Sequence, residues 1–456
     1  MPDRDPPPLP EPPFFQRRRL LAAPLLMSLP GLGRAAPAED LRARLQTLVE
    51  DPERPLASLS VLVLRAGRVA FEAQFGRRWI DPADSGKDLP ATRDTLYRIA
   101  SVSKLIAALA VLRLVEAGRL DLDADISEAL GYALRHPGFP RQPLSIRLLL
   151  SHRSGLRDAG GAYLGVGQTL ASKLLEGGAH FGRGESWSPA AEPGRYFEYC
   201  NLNYGVLASV MERATDQRFD ALMREQVLAP LAMRGGFEAS QFDAAELAQL
   251  ATLYRKRATD DDAPWHTAGP WVVQTDDWRG RRPLPPAGLD GYELGSNGSL
   301  FGPQGRLRTR VADLGTVLAM LAEGGRHEGR SFLKPASVAL LCSEQWRLDA
   351  DAANGDSLAG LFQAWGLGVQ HFIDRSVAGR GDRLLPQGGQ QAWGHLGFAY
   401  GLHSGLLLDP AARSGIAYAI GGTGADPARQ RGRYSSFPLW EERLQALLWA
   451  AARGEA

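Results

Sequence analysis

The stretch YRIASVSKLIAAL, residues 97–109, sets Ser101 and Ser103 ahead of Lys104 and a long apolar run. The chain holds only five lysines, at 87, 104, 173, 256 and 334, so a lysine at this position carries information. On a helix, residues three apart face one another, whereas adjacent residues diverge by about 100°. Ser101 therefore faces Lys104 and Ser103 does not. The apolar residues after Lys104 predict a buried helix running to about Ala117 and closed by Gly118. Burial lowers a lysine's pKa and lets its amine take a serine proton. A second pair with this spacing, Ser331 and Lys334, fails because Pro335 pushes Lys334 out of the helical region. A helix is expected to begin at Pro335 instead. The local pattern alone leaves two readings open for Ser101: a simple helix cap, or a nucleophile.

The chain has 456 residues, 44% hydrophobic and 23% charged, with a formal net charge of +1. These values fit a soluble globular protein and give no reason to expect nucleic acid or an anionic membrane as partner. Cys200 and Cys342 show no metal-binding spacing, and whether they pair is left open. No metal or organic cofactor is implied. Residues 1–16 are Pro-rich, Arg17–Arg19 are basic, and residues 20–33 are apolar but interrupted by Pro24 and Pro30. With Ala36-Pro37-Ala38 as a cleavage site, residues 1–38 read as a leader with a twin-arginine-like export signal. The expected location is the bacterial periplasm or the medium, without a membrane anchor. Residues 39–456 then form the folded domain, of undetermined oligomeric state.

Outward from the opening stretch, residues 39–51 read as an amphipathic helix and 59–76 as a β-hairpin around Ala66-Gly67. SIRLLLSH, LNYGVLASVMERATD and TRVADLGTVLAMLAEGG are helical in pattern. Gly-, Pro- and Asp-rich chain fills much of 236–296, which suggests a lid or insertion. Residues 401–410 and 414–423 form a second hairpin, followed by a helix with Trp440, Leu444, Leu447, Leu448 and Ala451 on one face. Strands at both chain ends, with helices between, predict an α/β (α+β) fold. Its antiparallel sheet is built from the two ends, flanked by helices, with a mostly helical region inserted.

Several segments change the balance for Ser101. LYRIASVSK, SIRLLLSHRSGL (145–156), PGRYFEYCNLNYGVLASVME (193–212), GSLFGPQGRLRTRVADL, WGLGV and WGHLGFAYG (393–401) occur in this order. In this order they resemble the segments of the serine β-lactamase-related family, which includes class C β-lactamases, DD-peptidases and related esterases. The resemblance covers about residues 40–450 and implies a β-lactamase/transpeptidase-like fold. It also implies Ser101 as nucleophile, Lys104 and Tyr199 as the proton-handling pair, and Asn201, His395 and Gly397 as substrate-binding residues. By the same resemblance, the backbone N–H groups of Ser101 and Phe398 form an oxyanion hole. A protonated Lys104 would favour the Tyr199 anion. Gly397 would let substrate approach a strand edge. His152 and Gly155 would shape the floor of the site or a helix end, without a catalytic role.

His395 stands where β-lactamases usually have lysine. An ordinary imidazole is only partly charged at neutral pH, which weakens fixed recognition of a carboxylate. The expectation is therefore an esterase- or peptidase-like serine hydrolase acting on a small ester, amide or peptide. Two rivals stand beside it: a penicillin-interactive β-lactamase or DD-peptidase, and a catalytically silent envelope-binding module. No G-x-S-x-G segment supports an α/β-hydrolase.

Overall fold

The computed structural model describes residues 37–455, apart from Val166, Ala190 and Ala191. The expected leader lies almost wholly outside the described residues. Helix α1 (Pro37–Val49) buries Leu41, Leu45 and Leu48. Strands β1 (Ser58–Arg65) and β2 (Arg68–Trp79) form the expected antiparallel hairpin. Ala66 and Gly67 at its turn have φ of 50° and 79°, the left-handed values a two-residue hairpin turn requires.

Seven further strands complete a nine-stranded sheet. β3 (Leu89–Pro90) lies at one edge beside β2. Near the other chain end come β4 (Gln370–Phe372), β5 (Ala392–Ala399), β6 (Leu402–Asp409) and β7 (Ser414–Ile420). The order is Trp346–Arg347, Ala364–Trp365, β4, β5, β6, β7, β1, β2, β3. Every neighbouring pair is antiparallel. The central contact, β7 against β1, joins the two chain ends, as the sequence pattern predicts.

Side chains of a strand alternate between its two faces, and here each face carries its own core. Leu62, Leu64, Leu406, Leu408, Ala417 and Ala419 pack towards α2 (Val102–Glu116), α3 (Leu202–Thr215) and α4 (Val311–Ala322). Leu59, Val61, Val63, Leu407, Ile416 and Tyr418 pack towards α1 and α5 (Leu439–Arg453). Helix α2 is apolar on all sides and lies in the middle of its layer, with 12 of its residues buried, as expected of a helix without a polar stripe. Helix α5 buries Trp440, Leu444 and Leu448, while Leu447 and Ala451 are half-buried.

Segment 236–296 is tied to this frame along its length, and two of the attachments lie beside the opening stretch. Leu253–Lys256 and Trp271–Thr275 pair as an antiparallel hairpin, and the first of these strands also runs parallel to Gly422–Thr423. Next to the hairpin, Asp276 accepts from Arg98 Nε at 2.9 Å and from Arg308 Nη2 at 2.6 Å. Arg98 belongs to the short strand Tyr97–Arg98, which pairs with Arg308–Thr309 and leads directly into the opening stretch. All three charges are buried. Burial alone would raise the Asp276 pKa. The Arg308 and Arg98 guanidiniums outweigh it and hold the carboxyl well below the usual carboxylate range.

Removing one member of such a cluster leaves buried charge uncompensated, at a cost of about 3–5 kcal/mol. Asp276→Asn is expected to lose stability on that scale in urea denaturation at pH 7. Because the folded-state pKa is depressed, wild type should lose this advantage as pH falls below about 4.

Candidate active site

The segment that carries Ser101 enters α2 through a strained residue. Ala100 has φ of 42°, a left-handed conformation that costs a non-glycine residue roughly 1–2 kcal/mol. Ser101 follows at the helix N-cap position, yet its side chain makes no capping hydrogen bond. That removes the helix-cap reading of Ser101. Ser103 is used structurally, its hydroxyl accepting from the Leu307 backbone N–H at 3.2 Å. The β5 strand lies against this turn. A Cβ on Gly397 would sit 2.4 Å from the Ile99 carbonyl oxygen and 3.2 Å from the Ala100 Cβ. A side chain at Gly397 would therefore collide with the segment that carries Ser101, and its absence lets β5 pack closely there.

Lys104 is fully buried. Its Nζ lies 2.9 Å from Ser101 Oγ, 2.8 Å from Asn201 Oδ1 and 2.9 Å from the Gln304 carbonyl oxygen. It also sits over the Tyr199 ring, 4.9 Å from the centroid. Burial lowers its pKa to about 7, against the opposing pull of Asp158. Two of its three partners are pure acceptors. A neutral amine keeps both of those bonds with its two hydrogens and turns its lone pair to Ser101. Only the serine contact can reverse direction, which is the arrangement a general base needs.

Asn201 stands at the N-cap position of α3 but makes no capping bond with its side chain. Its Nδ2 donates to Asp158 Oδ2 at 2.7 Å, which turns Oδ1 towards Lys104. Asp158 also accepts from the backbone N–H groups of Asn201 and Leu202, at 2.9 and 3.0 Å, and from the Cys200 thiol at 3.3 Å. It lies in the turn Asp158–Gly160, just past the SIRLLLSHRSGL segment. Sequence reasoning missed Asp158, because nothing local connects it with residue 201. Both cysteines are free.

Tyr199 packs between His152 and Phe362, with ring centroids 4.5 and 5.3 Å away. Burial raises its pKa, and the Ser101 hydroxyl offsets only part of this. Burial thus opposes the anion that a protonated Lys104 would favour. His152 lies beneath it, and its Nδ1 accepts from the Cys200 N–H at 3.1 Å. Burial, followed by the Lys104 charge, holds His152 well below its ordinary pKa.

His395 is also buried, facing Trp365 and Tyr199. Burial, reinforced by Lys104, lowers its pKa to about 3. The imidazole is neutral at pH 7, not partly charged as an ordinary histidine would be. Its Nδ1 donates to the Leu396 carbonyl at 2.6 Å, and Nε2 has no partner.

A cavity of about 720 Å³ brings Ser101, Tyr199, Asn201, His395, Gly397 and Phe398 together. Lys104 lies behind Ser101 and does not line it. Strand β4 pairs only with Ala392–Gly394 of β5, so beyond residue 394 that edge of β5 has no strand partner among the described residues and borders the cavity. Phe398 exposes over half of its surface there, at 57%. The other lining is largely apolar, including Leu358, Leu361 and Phe362. Arg98 reaches the lining but is paired with Asp276.

Comparison with known proteins places this geometry. Esterase EstB of Burkholderia gladioli is 35% identical over 207 residues, 43% of this chain and 51% of the esterase. The match thus spans about half the length of that relative. Penicillin-binding protein 4 of Amycolatopsis lactamdurans is 25% identical over 343 residues, 74% of each chain. A crystal structure of D-amino acid amidase from Ochrobactrum anthropi SV3 shares the fold, with a TM-score of 0.61, 18% identity and coverage of 91% of this chain and 100% of that one. The Beta-lactamase family model matches residues 38–436, from the first helix to the turn before the last, and so takes in every residue gathered around Lys104. The chain belongs to the Beta-lactamase family.

Proposed function

We propose that the protein is a serine hydrolase that forms an acyl-enzyme on Ser101 with a neutral ester or amide. The observation that carries this reading is the bonding of Lys104, whose single reversible contact is to the Ser101 hydroxyl. Ser101 Oγ attacks the carbonyl carbon while its proton passes to the neutral Lys104 amine. The new oxyanion faces the N–H groups of Ser101 and Phe398, and such donors are worth a few kcal/mol each. As the bond to the leaving group breaks, the proton moves from Lys104, by way of the Tyr199 phenol, to that group. Water then cleaves the acyl-enzyme by the same route, with Lys104 as base.

The preference for neutral substrates rests on charge. The position expected to hold a fixed cation carries a neutral imidazole, the Arg98 charge is compensated by Asp276, and the other lining cation, Arg431, stands against the acidic Asp356 and Glu441, so the lining offers no excess of positive charge. Esters and simple amides are therefore favoured over substrates that need their carboxylate held. The penicillin-binding relative, matched over 74% of this chain, keeps a penicillin-interactive activity as the second reading. A panel of p-nitrophenyl esters, D-amino acid amides and nitrocefin separates the two. Ester turnover with slow or absent nitrocefin cleavage is the expected result.

A fluorophosphonate probe should label the wild type and fail to label Ser101→Ala. Equal labelling of the two would overturn the assignment of Ser101, and labelling of neither would overturn it in favour of a silent binding module. Lys104→Met should lower kcat/KM on p-nitrophenyl butyrate by roughly a hundredfold or more.

A base must be deprotonated to act, so wild-type kcat/KM should rise with pH through about 7, where Lys104 titrates. The Asp158 charge raises the Lys104 pKa. Asp158→Asn should therefore shift this rise to lower pH and, by freeing the Asn201 amide to turn, reduce the plateau. An unmoved midpoint would count against the electrostatic part of the role.

A further inference from the structure

Arg98 stands three residues before Ser101 and lines the same cavity. Three residues of chain span at most about 11 Å, so an arm of an ester held at Ser101 can reach its side chain. Arg98 is 8% exposed. A guanidinium carries five N–H donors on three nitrogens, accepts nothing and keeps its charge. Two of the three nitrogens are used: Nε donates to Asp276 Oδ2 and Nη2 to Asp276 Oδ1, both at 2.9 Å. The third, Nη1, has no hydrogen-bond partner among the described residues. Unlike the unpartnered atoms of His395 and Gln304, it is not sealed from solvent.

The neighbouring Arg308 differs. Its Nε and Nη2 donate to Asp276, and its Nη1 donates to the backbone carbonyls of Arg306 and Phe237. The buried cluster is thus satisfied everywhere except at Arg98 Nη1. Two tyrosines of the cavity flank this guanidinium. The Tyr400 ring stands over it, with 5.7 Å from Cζ to the ring centre. Burial lowers the Arg98 pKa; Asp276 offsets this by its charge and hydrogen bonds, and the nearby Tyr400 and Tyr163 phenols add to the rise. Both tyrosines line the cavity and expose about half of their surface. A ring over the face of a guanidinium leaves its in-plane N–H groups uncovered.

We infer that Arg98 Nη1 is a substrate-binding donor, which takes a second, neutral carbonyl oxygen of the ester or amide held at Ser101. The inference rests on the acyl-transfer reading of Ser101 and deepens it by naming a substrate class: esters with a keto or second ester carbonyl on one arm. The lining sets Arg98 and Arg431 against Asp356 and Glu441 and carries no excess charge, so the acceptor it favours is neutral. Arg98 acts here on binding and selectivity and exchanges no proton.

The test compares p-nitrophenyl alkanoates with oxoalkanoates of equal length, and alkyl butyrates with oxoalkyl and carboxyalkyl butyrates, each corrected for its hydroxide-catalysed rate. In one of the two series, at some chain length, the keto group should raise kcat/KM roughly tenfold, the scale of a hydrogen bond from a charged donor. Arg98→Lys keeps a charge beside Asp276 without the fork and should bring the ratio back towards one. Should that variant unfold, Tyr400 decides. A glutamate carboxylate lies about as far from its Cα as a tyrosine ring centre, so Tyr400→Glu sets an acceptor beside Nη1 and should abolish the preference. Tyr400→Met offers no such acceptor and should keep it. Tyr400 already has φ of 57°, so both replacements meet the same backbone strain. No keto preference in either series, a preference that survives Tyr400→Glu, or equal loss in Tyr400→Glu and Tyr400→Met would overturn the inference. A larger gain from the carboxylate than from the keto group would overturn the neutral class. Calorimetric titration of Ser101→Ala with the alkyl and oxoalkyl butyrates gives a readout without turnover. Tighter binding of the oxo ligand there, with wild type inert to every ester, would leave the Arg98 site standing and overturn the acyl-transfer reading instead.

Discussion

A lysine ammonium sealed from water must find three acceptors within the protein, and Lys104 draws them from three different parts of the chain. One is on its own helix, one at the head of α3, and one on the loop before Arg308–Thr309. Each part is held in place for this. Ala100 bears backbone strain ahead of Ser101, Asp158 orients the Asn201 amide, and the Arg98–Asp276–Arg308 cluster secures the strands leading to and from the site. The cost of burying Lys104 is offset only when all of these parts are in position. The same burial brings its pKa to where a base is useful. Structure and chemistry here are set by one constraint.

What the sequence disclosed follows from range. The choice between Ser101 and Ser103 was legible because helical geometry is local, and the structure gives Ser103 a purely structural bond. The two long hairpins and the exclusion of Lys334 by Pro335 were legible for the same reason. The strands Trp346–Arg347 and Ala364–Trp365 are two residues each, too short to leave a pattern. Asp158 was invisible because its partners lie more than 40 residues away, and a turn carrying an aspartate is ordinary. The environment of Tyr199 and His395 was not legible, because it is set by burial against distant aromatic residues such as Phe362 and Trp365.

Substrate preference belongs to the same long-range class. On the acyl-transfer reading proposed above, the motifs around Ser101 mark the reaction type, and the cavity wall sets what reaches it. That wall is apolar on the catalytic face and continues around the free edge of β5. The relatives bear names as different as esterase and penicillin-binding protein on one family frame. In such a family, specificity is carried by the residues that line the pocket more than by those that perform the step.

The central β7–β1 pairing has a further consequence, one of timing. Ser101 and Lys104 are made early in synthesis, while β5, with Phe398, comes far later. β1 cannot gain its inner neighbour until β7 has emerged. A growing chain therefore carries Ser101 and Lys104 for most of its synthesis without the strand that completes the cavity. The cavity closes only when the last strands of the sheet are in place, so a prematurely ended product keeps the Ser101–Lys104 pair and lacks the pocket around it.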